Sequence, residues 1–161
     1  MNVPFEKLGP ESRIWIYQSD RKLNSEEQAF ILKNTGRFLE AWTAHGNDLQ
    51  AGVQILYDQF IIIGVNEAVN EASGCSIDKS VAFIRELDGI LKANLLERSK
   101  VALKNETEIS LIDFSEIKDM VSAGRITPES SVFNNAIVTK KELEDSWLMP
   151  AEKSWIKRYF N

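Results

Sequence analysis

The chain holds one histidine, His45, and one cysteine, Cys75. A thiol attacks only as its thiolate, and the unpaired amides and partial positive charge of a helix N-terminus favour that form. Cys75 lies in Ser73-Gly74-Cys75-Ser76-Ile77-Asp78, just ahead of an apolar stripe, and is therefore expected at such a start. With His45 as base or ion-pair partner, and Asp78 or Glu67 to orient the imidazole, this pair would perform nucleophilic thiol chemistry. The amides of Gly74, Cys75 and Ser76, with Arg13 as counter-charge, would instead cradle a small anion. Arg13, Glu67, Gly74, Ser76 and Asp78 are the candidate ligand-binding residues on that reading. Each residue also has an ordinary structural use. A free cysteine packs as a small hydrophobe, Ser76 or Asp78 caps a helix, and a histidine at a helix end donates a structural hydrogen bond. Exposure decides among these.

Other chemistries find no footing. His45 with Glu67 or Asp48 offers no close-spaced ligand pair, so no metal is expected. The second cysteine needed for an intrachain disulfide is absent. No serine sits between the two glycines of a nucleophile elbow, and neither a G-x-x-x-x-G-K-[ST] loop nor a dinucleotide fingerprint occurs. No cofactor is implied. A net charge of −5 argues against broad, salt-driven nucleic-acid binding. With 43% hydrophobic and 27% charged residues, the composition excludes collagen-like and wholly disordered chains. The longest apolar run, Phe60 to Val65, is far too short for a bilayer. No basic-then-apolar leader follows Met1, so a cytosolic protein without membrane contact is expected.

These residues must be positioned by a fold. Ile14-Trp15-Ile16-Tyr17 reads as a first strand. Ser25-Glu26-Glu27-Gln28 has the capping-box form, and Phe30 or Ile31, Thr35, Phe38, Leu39 and Trp42 then share one helical stripe that Gly46 stops. On that reading His45 lies in the last helical turn with Trp42. Val53, Ile55 and Tyr57 alternate as a strand. Asp58-Gln59 separates them from Phe60–Val65, too briefly for anything but an antiparallel hairpin. Val81, Ile84, Leu87 and Leu91 mark a second helix, capped by Asp78 or Ser76. Val101–Leu103 and Ile109–Ile112 follow as a hairpin or one interrupted strand. The order strand, helix, strand, strand, helix, strand predicts an α+β ferredoxin-like βαββαβ sandwich, an antiparallel sheet with both helices on one face. A different α+β order, with the last hairpin at an edge, is the alternative.

The core is expected to span residues 1–113, with 114–161 as an extension packed on it. In the extension, Ser115 caps a helix through Val121 that Gly124 ends, and Val132-Phe133 with Ala136-Ile137-Val138 forms a short strand. Asn134-Asn135 marks a bend. Thr139-Lys140-Lys141-Glu142 opens a helix towards Trp147, and the aromatic tail Trp155–Phe160 docks on the body. Trp147 and Trp155 are the candidate interface residues. The alternating chain direction would gather Arg13, His45, Glu67 and Cys75 at one rim of the sandwich.

Ser12-Arg13-Ile14-Trp15-Ile16-Tyr17-Gln18, Trp42-Thr43-Ala44-His45-Gly46, Gly74-Cys75-Ser76-Ile77-Asp78 and Val132-Phe133-Asn134-Asn135 together resemble a family of bacterial proteins of similar length, often labelled "ABC transporter ATPase". That label implies nucleotide hydrolysis, but the chain carries neither a Walker A loop nor an LSGGQ-type signature. Phe114 to Val132, with Ala123-Gly124-Arg125-Ile126-Thr127-Pro128, is similar to GYF-like adaptor modules, which implies binding to partner proteins. The expected function is a non-enzymatic binding domain for a small anionic ligand, a protein partner or a second copy of itself. The alternative is a thiol-dependent enzyme or redox-responsive protein using Cys75 with His45.

Overall fold

Phe60–Val65 is the most apolar stretch of the chain. In the computed structural model, which describes residues 1–161, each of its six residues is buried. The protein is α+β, with four α-helices and three antiparallel sheets. It divides into two compact units, Met1–Leu96 with Val138–Lys141, and Glu97–Ile137 with Glu142–Asn161.

In the first unit, strand β1 (Arg13–Gln18) precedes helix α1 (Ser25–Glu40). A two-strand hairpin of β2 (Thr43–Ala44) and β3 (Asn47–Asp48) comes next. Strands β4 (Ala51–Leu56) and β5 (Phe60–Val65) then lead into helix α2 (Gly74–Leu91). β5 is the middle strand, antiparallel to β1 on one side and β4 on the other. Tyr57-Asp58-Gln59 turn the chain between β4 and β5, with Tyr57 and Asp58 near φ +55° and Gln59 N donating to Leu56 O at 3.1 Å, so Tyr57 belongs to the turn rather than to the strand. Both helices cover one sheet face. Ile31 and Leu39 of α1 and Ile84, Leu87 and Leu91 of α2 join Tyr17, Ile61, Ile63 and Val65 in one core.

Several local expectations shift, each for a physical reason. Asn24, not Ser25, caps α1. Its side chain accepts from Glu27 N at 2.8 Å, and the Glu27 carboxylate accepts from Asn24 N at 3.0 Å. α1 ends at Glu40, because His45 (φ 52°) and Gly46 (φ 79°) form the turn of the β2–β3 hairpin rather than a helix stop. Ser73, not Asp78 or Ser76, caps α2.

A fourth strand was expected to follow α2 into this sheet, but the sheet has three. The start of β1 meets Val138 and Thr139 on its outer side, where Ile14 N donates to Val138 O at 2.9 Å. The start of β4 is met by Asn2 and Val3. Chain segments thus cover parts of both edges, which limits edge-to-edge pairing. The second face, which carries neither helix, is closed over β5. Leu8 and Phe5 lie against Gly64 there.

In the second unit, β6 (Lys100–Asn105) and β7 (Glu108–Asp113) form the hairpin that was expected with residues 1–113. They join β8 (Ser131–Phe133) and β9 (Leu148–Pro150) in the order β7-β6-β8-β9. Helix α3 (Ile117–Ser122) is ended by Gly124 at φ 72°. Helix α4 (Lys140–Asp145) stops short of Trp147, and β9 takes up the chain beyond it. Ala136 and Ile137 form no strand. Ala136 N bonds the Asn134 side chain, which makes the bend expected at Asn134-Asn135. The tail is fixed by Ile156, wholly buried with Val101, Ile117 and Val132.

Arg21 ties helix ends together in the first unit. Its guanidinium grips Glu27 through two bonds of 2.9 and 2.6 Å and donates to Leu91 O at 2.7 Å. Arg21 first, and Asn24 N second, hold the Glu27 carboxyl at about 2, well below its ordinary 4.5. A depressed carboxyl pKa contributes stability that is full above the unfolded value and fades as pH falls from 4.5 towards 2. Denaturation midpoints of wild type and Glu27→Gln should therefore differ at pH 6 and converge near pH 2; an unchanging gap contradicts the clamp. At Gly52 a Cβ would lie 2.7 Å from Val3 O and 3.0 Å from Phe5 Cα, both backbone atoms. Gly52→Ala should cost about 1–3 kcal/mol in urea unfolding. Gly89→Ala, in α2 with nothing nearby, should gain about 0.5–1 kcal/mol.

Candidate functional site

The strand register assembles one end of the first sheet. Arg13, Val65 and Ala51 lie side by side across β1, β5 and β4, so Arg13, Gln50 and Asn66 share that end. Asn66 donates to the Gln50 side chain at 2.6 Å. Asn70, in the loop before α2, donates at 3.1–3.4 Å to the carbonyls of Ala44, Asn47 and Asp48. That loop is thereby fixed to the hairpin carrying His45. The buried Trp42 indole donates to Ser76 O at 2.8 Å, which fixes the first turn of α2 to the same segment. An amide and an indole thus tie the hairpin segment to the loop before α2 and to the first turn of α2.

The chemistry at that end is sparse. Cys75 is exposed in the first turn of α2 and its sulfur has no hydrogen-bond partner. His45 is exposed on the hairpin turn rather than in a helix, with only its backbone carbonyl engaged. No hydrogen bond or ion pair links the imidazole to the thiol, to Glu67 or to Asp78. Ser76 is 1% exposed and serves the cap: its hydroxyl accepts from Ser73 N and donates to Ser73 O, each at 2.8 Å. Asp78 stands exposed beyond the cap. Glu67 braces the loop by accepting from Ala72 N at 3.0 Å, which sets a negative charge near the amides meant for an anion. Arg13 lies over the Trp15 ring at 4.8 Å, and Trp15 meets Trp42 edge-on at 6.2 Å. Gly74 is exposed, with open space where a side chain would be.

The two tryptophans expected at an interface part company. Trp147 is 4% exposed, packs on Phe133 at 4.8 Å and donates to the Asn135 side chain at 2.9 Å, so it is a core residue. Its indole found both an apolar wall and an acceptor within its own unit. Trp155 is 39% exposed and meets Phe114, itself 44% exposed, edge-on at 5.1 Å. Tyr159 stands 6.3 Å from Trp155. Arg158 lies 5.4 Å from the Trp155 ring and 5.0 Å from the Tyr159 ring, and donates to the Tyr159 hydroxyl at 3.1 Å. Beside this cluster, Pro128, Glu152, Lys153, Lys157 and Phe160 line an open cavity of about 380 Å³. Sequence reasoning singled out Trp155 and missed Phe114, Arg158 and Tyr159. The interleaving of cations and rings in Lys153–Phe160 was the signal available.

No cluster of three or more His, Cys, Asp or Glu side chains is arranged to hold a metal ion, and no helix is long and apolar enough to cross a membrane. Comparison with known proteins finds no matching family model, curated protein or solved structure.

Trp42→Phe should cost about 1–3 kcal/mol, from the lost indole bond and the void left behind. It should also speed amide exchange in the first turns of α2. Unaltered exchange there would mean that the Trp42 indole does not secure that helix start.

Proposed function

We propose that this protein is a non-enzymatic binding module, and that its second unit receives a protein partner on the surface formed by Phe114, Trp155, Arg158 and Tyr159. The observation that carries this reading is a half-exposed Trp and a half-exposed Phe in edge contact, joined by an arginine stacked on aromatic rings. Aromatic and arginine side chains supply most of the energy at protein interfaces, because they bury large areas at modest entropic cost. Leaving both rings wet has no benefit for the isolated fold. The resemblance of Phe114–Val132 to GYF-like adaptor modules points in the same direction. We read the first unit as a ferredoxin-like sandwich lacking its fourth strand, on the strength of its central antiparallel β5 and its two helices on one face. That fold carries no function by itself.

Small-anion binding at the start of α2 is the weaker version of this reading. Ser73 and Ser76 already serve the cap and Glu67 opposes an anion. The thiol alternative retains one observation in its favour: Cys75 is exposed at a helix start that is tied to the His45 segment. Under it, alkylation of the native thiol against pH should change in His45→Ala. Superimposable profiles remove it.

For the binding module, Trp155→Ala and Phe114→Ala should leave the unfolding temperature within a few degrees of wild type. Both should lose at least about tenfold in capture of any partner that wild type retains, as expected of central aromatic anchors. Equal capture by wild type and both variants refutes this surface as the site. Trp147→Ala, by contrast, should cost about 3–5 kcal/mol of stability.

A further inference from the structure

The partner-binding surface carries a charge pattern that narrows its occupant. The chain as a whole is acidic, at −5. Within Lys153–Phe160, however, Lys153, Lys157 and Arg158 are all exposed, and none is ion-paired with a carboxylate. Lys153 and Lys157 line the 380 Å³ cavity, whose apolar wall is Pro128 and Phe160 and whose remaining wall is Glu152. Arg158 stands on the aromatic cluster. The cavity and the cluster both use residues of one short 3-10 helix, Trp155–Tyr159: Lys157 lines the cavity, and Trp155, Arg158 and Tyr159 belong to the cluster.

Resting on the binding-module reading, we propose that the occupant is an acidic peptide segment of a partner protein. One apolar side chain enters the cavity against Pro128 and Phe160, and flanking carboxylates meet Lys153, Lys157 and Arg158. Complementary charge fixes register and speeds encounter, while the apolar anchor supplies residence time. A nucleic acid is the less suitable occupant. Three cations within a chain of net −5 release few counterions.

The test selects short random peptides from a display library on the immobilised full chain. Enriched peptides are then measured in solution against wild type, Lys153→Glu/Lys157→Glu, Lys153→Gln/Lys157→Gln and Trp155→Ala, with folding checked by thermal unfolding. The expected peptides combine Asp or Glu with an apolar residue. Their affinity should fall at least about tenfold on charge reversal, less on charge removal, and should weaken as salt rises. Neutral or basic peptides that need Trp155 but ignore both lysine variants overturn the acidic occupant and leave the binding module standing. Peptides indifferent to Trp155, or no enrichment, overturn both. Displacement of the peptides by oligothymidine at physiological salt more readily than by free peptide assigns the surface to nucleic acid and overturns the proposal.

Discussion

Burial of β5 on both faces is the constraint on which the first unit depends. A strand with six buried residues must have hydrogen-bonded neighbours on both sides, since water cannot reach its amides. It must also be covered above and below. β1 and β4 meet the first demand. α1 and α2 cover Ile61, Ile63 and Val65, and the segment bearing Phe5 and Leu8 lies against Gly64 on the reverse face. Close approach there leaves no room for a Cβ at Gly52, which is why backbone can pass over it.

Polar groups at the margins then fix what hydrophobic burial leaves loose. Arg21 spans from the first turn of α1 to the last carbonyl of α2, and its bidentate grip keeps Glu27 ionised far below the ordinary carboxyl range. At the opposite end, Trp42 and Asn70 bind the β2–β3 hairpin to the α2 approach. These bonds explain how residues thirty positions apart are held at one end of the sheet. None of them engages the Cys75 thiol or the His45 imidazole, so they fix backbone segments and leave those two groups unjoined.

The second unit presents the reverse situation. Its core is complete with Val101, Ile117, Val132 and Ile156, yet Phe114 and Trp155 remain substantially in water. A fold that has buried one tryptophan beside Phe133 and given its indole an acceptor could have treated the other likewise. The difference between Trp147 and Trp155 is why we propose a binding surface on the tail rather than at the sheet end where the rare residues lie.

Periodicity in the sequence determined the elements themselves: the α1 and α2 stripes, the β4–β5 hairpin, the bend at Asn134-Asn135 and the Gly124 stop. Each depends on bonds or burial within a few residues, which composition and spacing report directly. Cap positions slipped by one to five residues because neighbouring Asn and Ser side chains compete for the same amides, and only the folded chain shows which wins. His45-Gly46 was legible as a break, but helix stop and hairpin turn both accept positive φ; the register of Thr43 with Asp48 decided it. Strand partnership was decided by tertiary structure alone. The local pattern of β6 is indifferent to which edge it joins, and long-range pairing with β8 took it away from the first sheet. The same holds for the four tryptophans, identical in sequence as large amphipathic rings. Whether one becomes core or surface depends on the volume and the acceptors that distant segments bring to it.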